Sequence, residues 1–216
     1  MHIVRKTIPN FWPIAKTGTK YMAVASHSIN DAIPIIIIMR DILKYVKTMK
    51  EMKKIIHEKK VLVNGRIATE TNYPVTLFDT LAIPSIKKFY RAVLVGKKMN
   101  FVEIKESEIS TRICKIINKR VLPGKKIQIN FDNGRNIISS EKVKTGDFAT
   151  IDLVNNKIKK IIALEKGAEI MIVKGKHMGK TGSVKEIVKQ GDEVIAKIKT
   201  KEGEISTNVT NLFAIE

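Results

Sequence analysis

Through residue 33 the apolar positions follow no period. They are interspersed with Arg5, Lys6, Lys16 and Lys20 and with the turn formers Pro9, Pro13 and Gly18. This stretch predicts an irregular basic segment without fixed order in the free protein. A helical period then sets in. The isoleucine run at residues 35–38 reads as core, and Met39, Ile42, Leu43 and Val46 recur at i, i+3, i+4 and i+7, the mark of an amphipathic helix. Arg40, Lys44 and Lys47 fall off that stripe and form a basic row on its exposed side. Thr48 and Glu51 have capping-box spacing, which starts a second helix. That helix turns Met52, Ile55 and Ile56 inward and Lys50, Lys53 and Lys54 outward, and Lys59 and Lys60 close the pair.

From residue 61 the period shortens to two. Val61-Leu62-Val63-Asn64-Gly65-Arg66-Ile67 is an apolar run into Asn-Gly, a strong hairpin signal because both turn positions tolerate positive φ. A second hairpin is predicted where Ile127, Ile129 and Phe131 alternate ahead of Asp132-Asn133-Gly134. Further strands follow the turns at Gly146-Asp147 and Asn155-Asn156. The fold class is therefore α+β and mostly β. Four unlike stretches follow: an irregular basic segment at 1–33, a helix-and-hairpin domain at 34–85, a β domain at 86–165, and a glycine-punctuated β domain at 166–216.

Charge sharpens this picture. The 216 residues carry 40 Lys+Arg against 21 Asp+Glu, a formal net charge of +19. Residues 1–60 hold 12 basic and 4 acidic residues and residues 111–165 hold 12 and 5, whereas 61–110 hold 7 and 5 and 166–216 hold 9 and 7. Two concentrated basic stretches favour a polyanion-binding surface over a general enrichment in lysine. No apolar run approaches the roughly 20 residues that span a bilayer. The single cysteine, Cys114, cannot form an intramolecular disulfide and lies in an apolar stretch, as a buried inert thiol does. His2, His27, His57 and His177 are scattered with no partner at metal-ligand spacing. There is no nucleophile elbow and no dinucleotide fingerprint. No catalytic residue, metal or cofactor is expected. Phe11 and Trp12 could stack on bases or anchor the N-terminal segment.

Near the C-terminus, a strand from Glu169 meets Gly175, Gly179 and Gly182, with Lys174, Lys176, His177 and Lys180 on the same loop. Glycines permit tight turns and close backbone approach, and exposed N–H groups among lysines suit phosphate. The run from Gly167 to Val184 resembles the KOW motif that opens a small SH3-like barrel in ribosomal proteins and elongation factors. The helix pair and V-x-V-N-G hairpin resemble the RNA-binding domain shared by bacterial ribosomal protein S4, pseudouridine synthases and some tRNA synthetases.

Taken in order, these parts resemble the archaeal/eukaryotic small-subunit ribosomal protein family S4e over essentially the whole chain. Matching stretches include Met39-Arg40-Asp41, Tyr73-Pro74-Val75, Tyr90-Arg91, Asp132-Asn133-Gly134-Arg135-Asn136 and Asn211-Leu212-Phe213. Of the family's proline- and glycine-rich stretch before the first helix, Ala25-Ser26-His27-Ser28 keeps only the histidine, and the family's Asp-Gly turn is Asn64-Gly65 here. The resemblance implies a non-enzymatic structural constituent of the small ribosomal subunit in the cytoplasm. Its partners would be small-subunit rRNA and neighbouring small-subunit proteins, with no membrane and no small-molecule substrate. Charge placement and helical spacing make Arg5, Lys6, Lys16, Lys20, His27, Arg40, Lys44, Lys47, Lys50, Lys53, Lys54, Lys59, Lys60 and Arg66 the expected RNA-binding residues, with Lys174, Lys176, His177 and Lys180 on the barrel loop as weaker contacts. Two alternatives stay open: an RNA-modifying enzyme with an accessory RNA-binding domain, and a non-ribosomal KOW-type RNA-binding or transcription elongation factor.

Overall fold

The computed structural model describes residues 2–215 except 125, 140, 142, 192, 201 and 202, with the backbone alone at Gln190 and Glu193. Two compact units divide the chain, Met1–Ser110 and Thr111–Glu216.

The first unit is built on a five-stranded antiparallel sheet ordered Arg66–Ile67, Leu62–Val63, Thr80–Ile83, Lys88–Val95 and Lys98–Glu103. The two strands after residue 86 thus complete the sheet that the Asn-Gly hairpin begins. Two short ribbons accompany it, His2–Val4 with Tyr21–Ala23 and Ala32–Pro34 with Pro74–Thr76. The isoleucines at 35–38 are fully buried, as are Met39 and Met52. With no solvent on any side of that run, its helix is not amphipathic, and it is short. An α-turn at Ile35–Ile37 widens into a π-turn at Ile38–Ile42, closed by the Leu43 N–H donating to the Ile38 carbonyl at 2.8 Å. Tyr45 N–H then reaches back to the Met39 carbonyl, and Lys44 takes a left-handed φ of 58°. The expected helix through Val46 therefore does not form, and neither does its row of Arg40, Lys44 and Lys47.

The N-terminal segment also departs from expectation. Ile8, Trp12, Met22 and Val24 are buried in the core of this unit, and the Met99 N–H donates to the Phe11 carbonyl. Their spacing is irregular because loops and a three-residue strand pair deliver them, so no period announced the burial. Trp12 is an anchor.

The second unit holds two sheets. The first is ordered Asn136–Ser139, Lys126–Phe131, Thr111–Leu122, Phe148–Asp152 and Lys157–Ile162. The second, ordered Gly203–Asn208, Glu193–Thr200, Thr181–Gln190, Glu169–Ile172 and Leu212–Ala214, has the five-stranded antiparallel order expected of a small barrel. Each has its own core, one around Cys114, Ile116, Ile129 and Ile151 and one around Ile170, Ile172, Val184 and Ile198.

Lys115 joins the two sheets. Its ammonium donates to the carbonyls of Val209 at 2.6 Å and of Thr210 and Leu212 at 3.3 Å, beside the tilted Phe148–Phe213 ring pair. Burial pushes this amine down to about 8, with the Asp132 carboxylate opposing the shift. Three carbonyl acceptors for three ammonium donors satisfy the group without a carboxylate partner.

Candidate nucleic-acid interface

The helix Met49–His57 organises the basic side chains of the first unit. Thr48 caps it: the Glu51 N–H donates to Thr48 Oγ1 at 3.3 Å, and the Thr48 N–H donates back to Glu51 Oε2 at 3.3 Å. The Lys47 N–H also donates to Glu51 Oε2, at 2.7 Å. That bond, with the two from Thr48, holds the Glu51 carboxyl below its ordinary range. The one acidic side chain of the first turn is thereby tied to backbone N–H groups.

Met52 and Ile56 fix the inner face of this helix. The positions i, i+3, i+4 and i+7 on the other side are Lys50, Lys53, Lys54 and His57, all exposed. They form one stripe of three lysines and one histidine. His57 was not singled out in the sequence; its spacing from Lys50 and Lys53 is the signal that places it there. Lys59, at φ 54°, turns the chain out of the helix, and Lys60 pairs with Glu58 at 2.5 Å. Beside the stripe lies a cleft of about 590 Å³, with Lys53, His57 and Lys59 on one wall and Ile67, Thr69 and Asn72 on the other.

The opposite wall leads out of the Asn64-Gly65 turn, whose φ values of 51° and 74° are those of a type I′ hairpin. Asn64 is more than a turn residue. Its Nδ2 donates to Asp79 Oδ1 at 2.7 Å, and its Oδ1 accepts the Thr80 N–H at 3.0 Å. Asp79, itself buried, also accepts from the Thr76 N–H and hydroxyl. The Asn at this turn thus braces the strand Thr80–Ile83, and Arg66 projects exposed from the hairpin's second strand.

The other predicted contacts are dispersed. Lys44 and Lys47 are exposed on the link between the helices, and Arg40 forks onto Asp41 at 2.9 and 3.0 Å. Arg5 spends three of its donors on the Thr19 and Ala15 carbonyls and the Thr19 hydroxyl, closing the loop over Gly18. Lys16 donates to Asn10, Lys20 lies over the Tyr21 ring, and His27 meets Ser28 at 3.3 Å. Lys6 is exposed.

In the second unit the barrel loop holds Lys174, Lys176, His177 and Lys180 together, with Lys174 and Lys176 exposed and the other two half-buried. Part of its backbone closes on the loop itself. The N–H groups of Met178, Gly179 and Lys180 donate to the carbonyls of Gly175, Ile172 and His177. The glycines serve the fold: Gly175 and Gly179 have φ of 97° and 88°, and a Cβ at Gly182 would collide with the Lys199 carbonyl oxygen. The central sheet adds exposed cations that were counted in the charge but not named: Lys119, Arg120, Lys126, Lys157, Lys159 and Lys160. Among the described residues no group of three His, Cys, Asp or Glu side chains is placed to hold a metal ion.

Residues 38–81 match the model of the S4 domain, and residues 86–158 match that of ribosomal family S4e. The small ribosomal subunit protein eS4 of Methanocella arvoryzae is 36% identical over 219 residues, which cover 99% of this chain and 93% of the relative. That of Nanoarchaeum equitans is 34% identical over 87% of this chain and 82% of its own. The crystal structure of the 30S ribosomal protein S4e from Thermoplasma acidophilum superposes with a TM-score of 0.72 at 26% identity, covering 86% of this chain and 95% of that one.

Proposed function

This chain belongs to the S4e family of small ribosomal subunit proteins, and from that premise we propose that it grips small-subunit rRNA mainly through the stripe Lys50, Lys53, Lys54 and His57 and the cleft beside it. It is a structural constituent of the small ribosomal subunit, at work on the cytoplasmic ribosome, and it carries an RNA-binding S4 domain. The observation that carries the proposal is that stripe: cations on the solvated face of a capped helix, with the Glu51 carboxylate of its first turn held by backbone N–H groups.

The chemistry is that of phosphate neutralisation. Each ammonium that meets a phosphate releases condensed counterions, which makes affinity fall steeply with salt. Lys59 and Arg66 extend the patch toward the hairpin, while Lys6, Lys16, Lys20, His27, Lys44, Lys47 and Lys60 widen the field that steers RNA to it. Arg5 and Arg40, committed to internal hydrogen bonds, act chiefly in the fold. The barrel loop with Lys174, Lys176, His177 and Lys180 makes a second, weaker station. In the first unit residues 1–33 serve as anchor and the capped helix with its hairpin as RNA grip, the strands Lys88–Val95 and Lys98–Glu103 completing that unit's sheet; in the second unit the central sheet is a basic β platform and residues 166–216 are the barrel. No catalytic step is assigned to any of them, and neighbouring small-subunit proteins complete the set of partners.

The test is assembly. Tagged protein, added to small subunits reconstituted without it, is expected to co-sediment with the subunit and to stay through a wash in high salt. Recovery in the RNA polymerase fraction instead, with none on the subunit, would replace this reading with the elongation-factor alternative.

A further inference from the structure

The outer face of the central sheet is unusual for a solvated β surface. In the ladder Thr111–Leu122, Lys126–Phe131 and Asn136–Ser139, the register places Asn118 opposite Asn130 and Asn130 opposite Asn136. Arg120, Gln128 and Ile138 form the next cross-strand row, and Leu122 faces Lys126 beyond it. Directly opposed residues in an antiparallel pair share a face, so all eight side chains project together. The alternate positions Ile129, Phe131 and Ile137 turn into the core, which fixes the face as outward.

Asparagine is depleted from strands because its short amide competes for nearby backbone groups. Threonine, valine or lysine would serve stability better at each of these sites. A row of three asparagines across three strands therefore points to a use other than holding the sheet. The amides are only partly occupied. Asn118 Oδ1 accepts the Lys119 N–H at 2.8 Å and Asn130 Oδ1 accepts from Gln128 Nε2 at 3.0 Å, which leaves both asparagine NH₂ groups free among the described residues. Nearer its start, the same sheet face is packed under the barrel through Lys115, Phe148 and Phe213. At the asparagine end it is open: Asn118, Arg120 and Asn136 are exposed and Ile138 keeps 60% of its surface.

We propose that this amide face is a docking surface for double-stranded RNA, laid against the minor groove. Three features select that occupant. The eight positions carry two cations, Arg120 and Lys126, and no carboxylate, within a stretch of 12 basic and 5 acidic residues, so the face complements a polyanion. They include no aromatic ring, so unpaired bases have nothing to stack on. Their amides both donate and accept, as do the 2′-hydroxyls that line the wide, shallow minor groove of A-form RNA. A flat row of short side chains reaches into a shallow groove and cannot reach into a deep one. The proposal rests on the reading of the chain as an rRNA-binding protein and adds a surface separate from the helix stripe.

The variant Asn118→Thr/Asn130→Thr/Asn136→Thr tests it, because threonine favours strands and removes no charge. The expected result is an unfolding midpoint at or above the parent's, an affinity for small-subunit rRNA lower by about tenfold, and an unchanged slope against salt. The parent should also be competed better by an RNA duplex than by a DNA duplex of the same sequence, and the variant should lose that difference. Asn136→Thr alone, on the edge strand, is read in the same way should the triple change impair folding. A parent that binds rRNA and a variant that binds it equally, with the same RNA-over-DNA preference, would overturn this proposal alone. Cross-links from this face in the assembled subunit that reach only protein would also overturn it. A parent with no affinity for small-subunit rRNA would overturn the wider reading as well.

Discussion

Changing Lys50, Lys53 and Lys54 together to glutamate lowers the affinity for small-subunit rRNA by about a hundredfold, or about 2.7 kcal/mol, and flattens its dependence on salt. Each phosphate contact contributes roughly 0.7 to 0.9 to the slope of log affinity against log salt, so losing three removes about two or more from it. The change replaces attraction with repulsion on one helix face and leaves the inner face intact. Glutamate and lysine have similar helix propensity, Met52 and Ile56 stay buried, and the Thr48–Glu51 cap is untouched. Titrations at two salt concentrations, with helical content followed by circular dichroism, check this. An affinity and slope equal to the parent's in a folded variant would remove this helix from the interface. The same reversal at Lys44 and Lys47 should cost less, because those lysines sit on the link between the helices and present no common face.

The second large effect concerns the barrel. Gly182→Ala should destabilise the second unit by about 3 kcal/mol. Gly182 lies within the strand Thr181–Gln190, opposite Ile170 on one side and Thr200 on the other. An added Cβ meets the Lys199 carbonyl oxygen and approaches the Ile198 side chain. Neither can yield cheaply: the oxygen belongs to a paired strand and Ile198 is 1% exposed in the barrel core. Urea unfolding should show the loss, and hydrogen exchange should confine it to the second unit while Met1–Ser110 keeps its protection. An unchanged midpoint would mean that the two strands separate more easily than their register suggests.

What the sequence made legible, and what it hid, divides along physical lines. Local chemistry was readable. The Thr48–Glu51 capping box, the Asn64-Gly65 turn and the Asp132-Asn133-Gly134 hairpin each depend on a few adjacent residues, and each is present. The glycines of the barrel loop act as the turn and close-approach residues their spacing suggests, but the Gly179 N–H closes on the Ile172 carbonyl, which only the folded loop brings near.

Longer-range packing was not readable. The isoleucine run at residues 35–38 reads as core and is buried, but four consecutive isoleucines carry no period, so nothing in them revealed that the first helix ends early in a π-turn. Trp12 and Ile8 were hidden for the same reason. At the candidate site, Lys50, Lys53 and Lys54 followed directly from helical spacing. His57 joins them only once the helix is known to extend that far. The asparagine row was hidden because it depends on the register between three strands, which the bulge between Ile116 and Asn118 resets.

Competition binding at near-physiological salt, with small-subunit rRNA set against an unrelated structured RNA of equal length, decides whether this chain holds a dedicated rRNA site. The expected result is a preference of about a hundredfold or more for the small-subunit rRNA. Equal affinity for both RNAs with a steep salt slope would contradict it, because charge alone would then account for the binding.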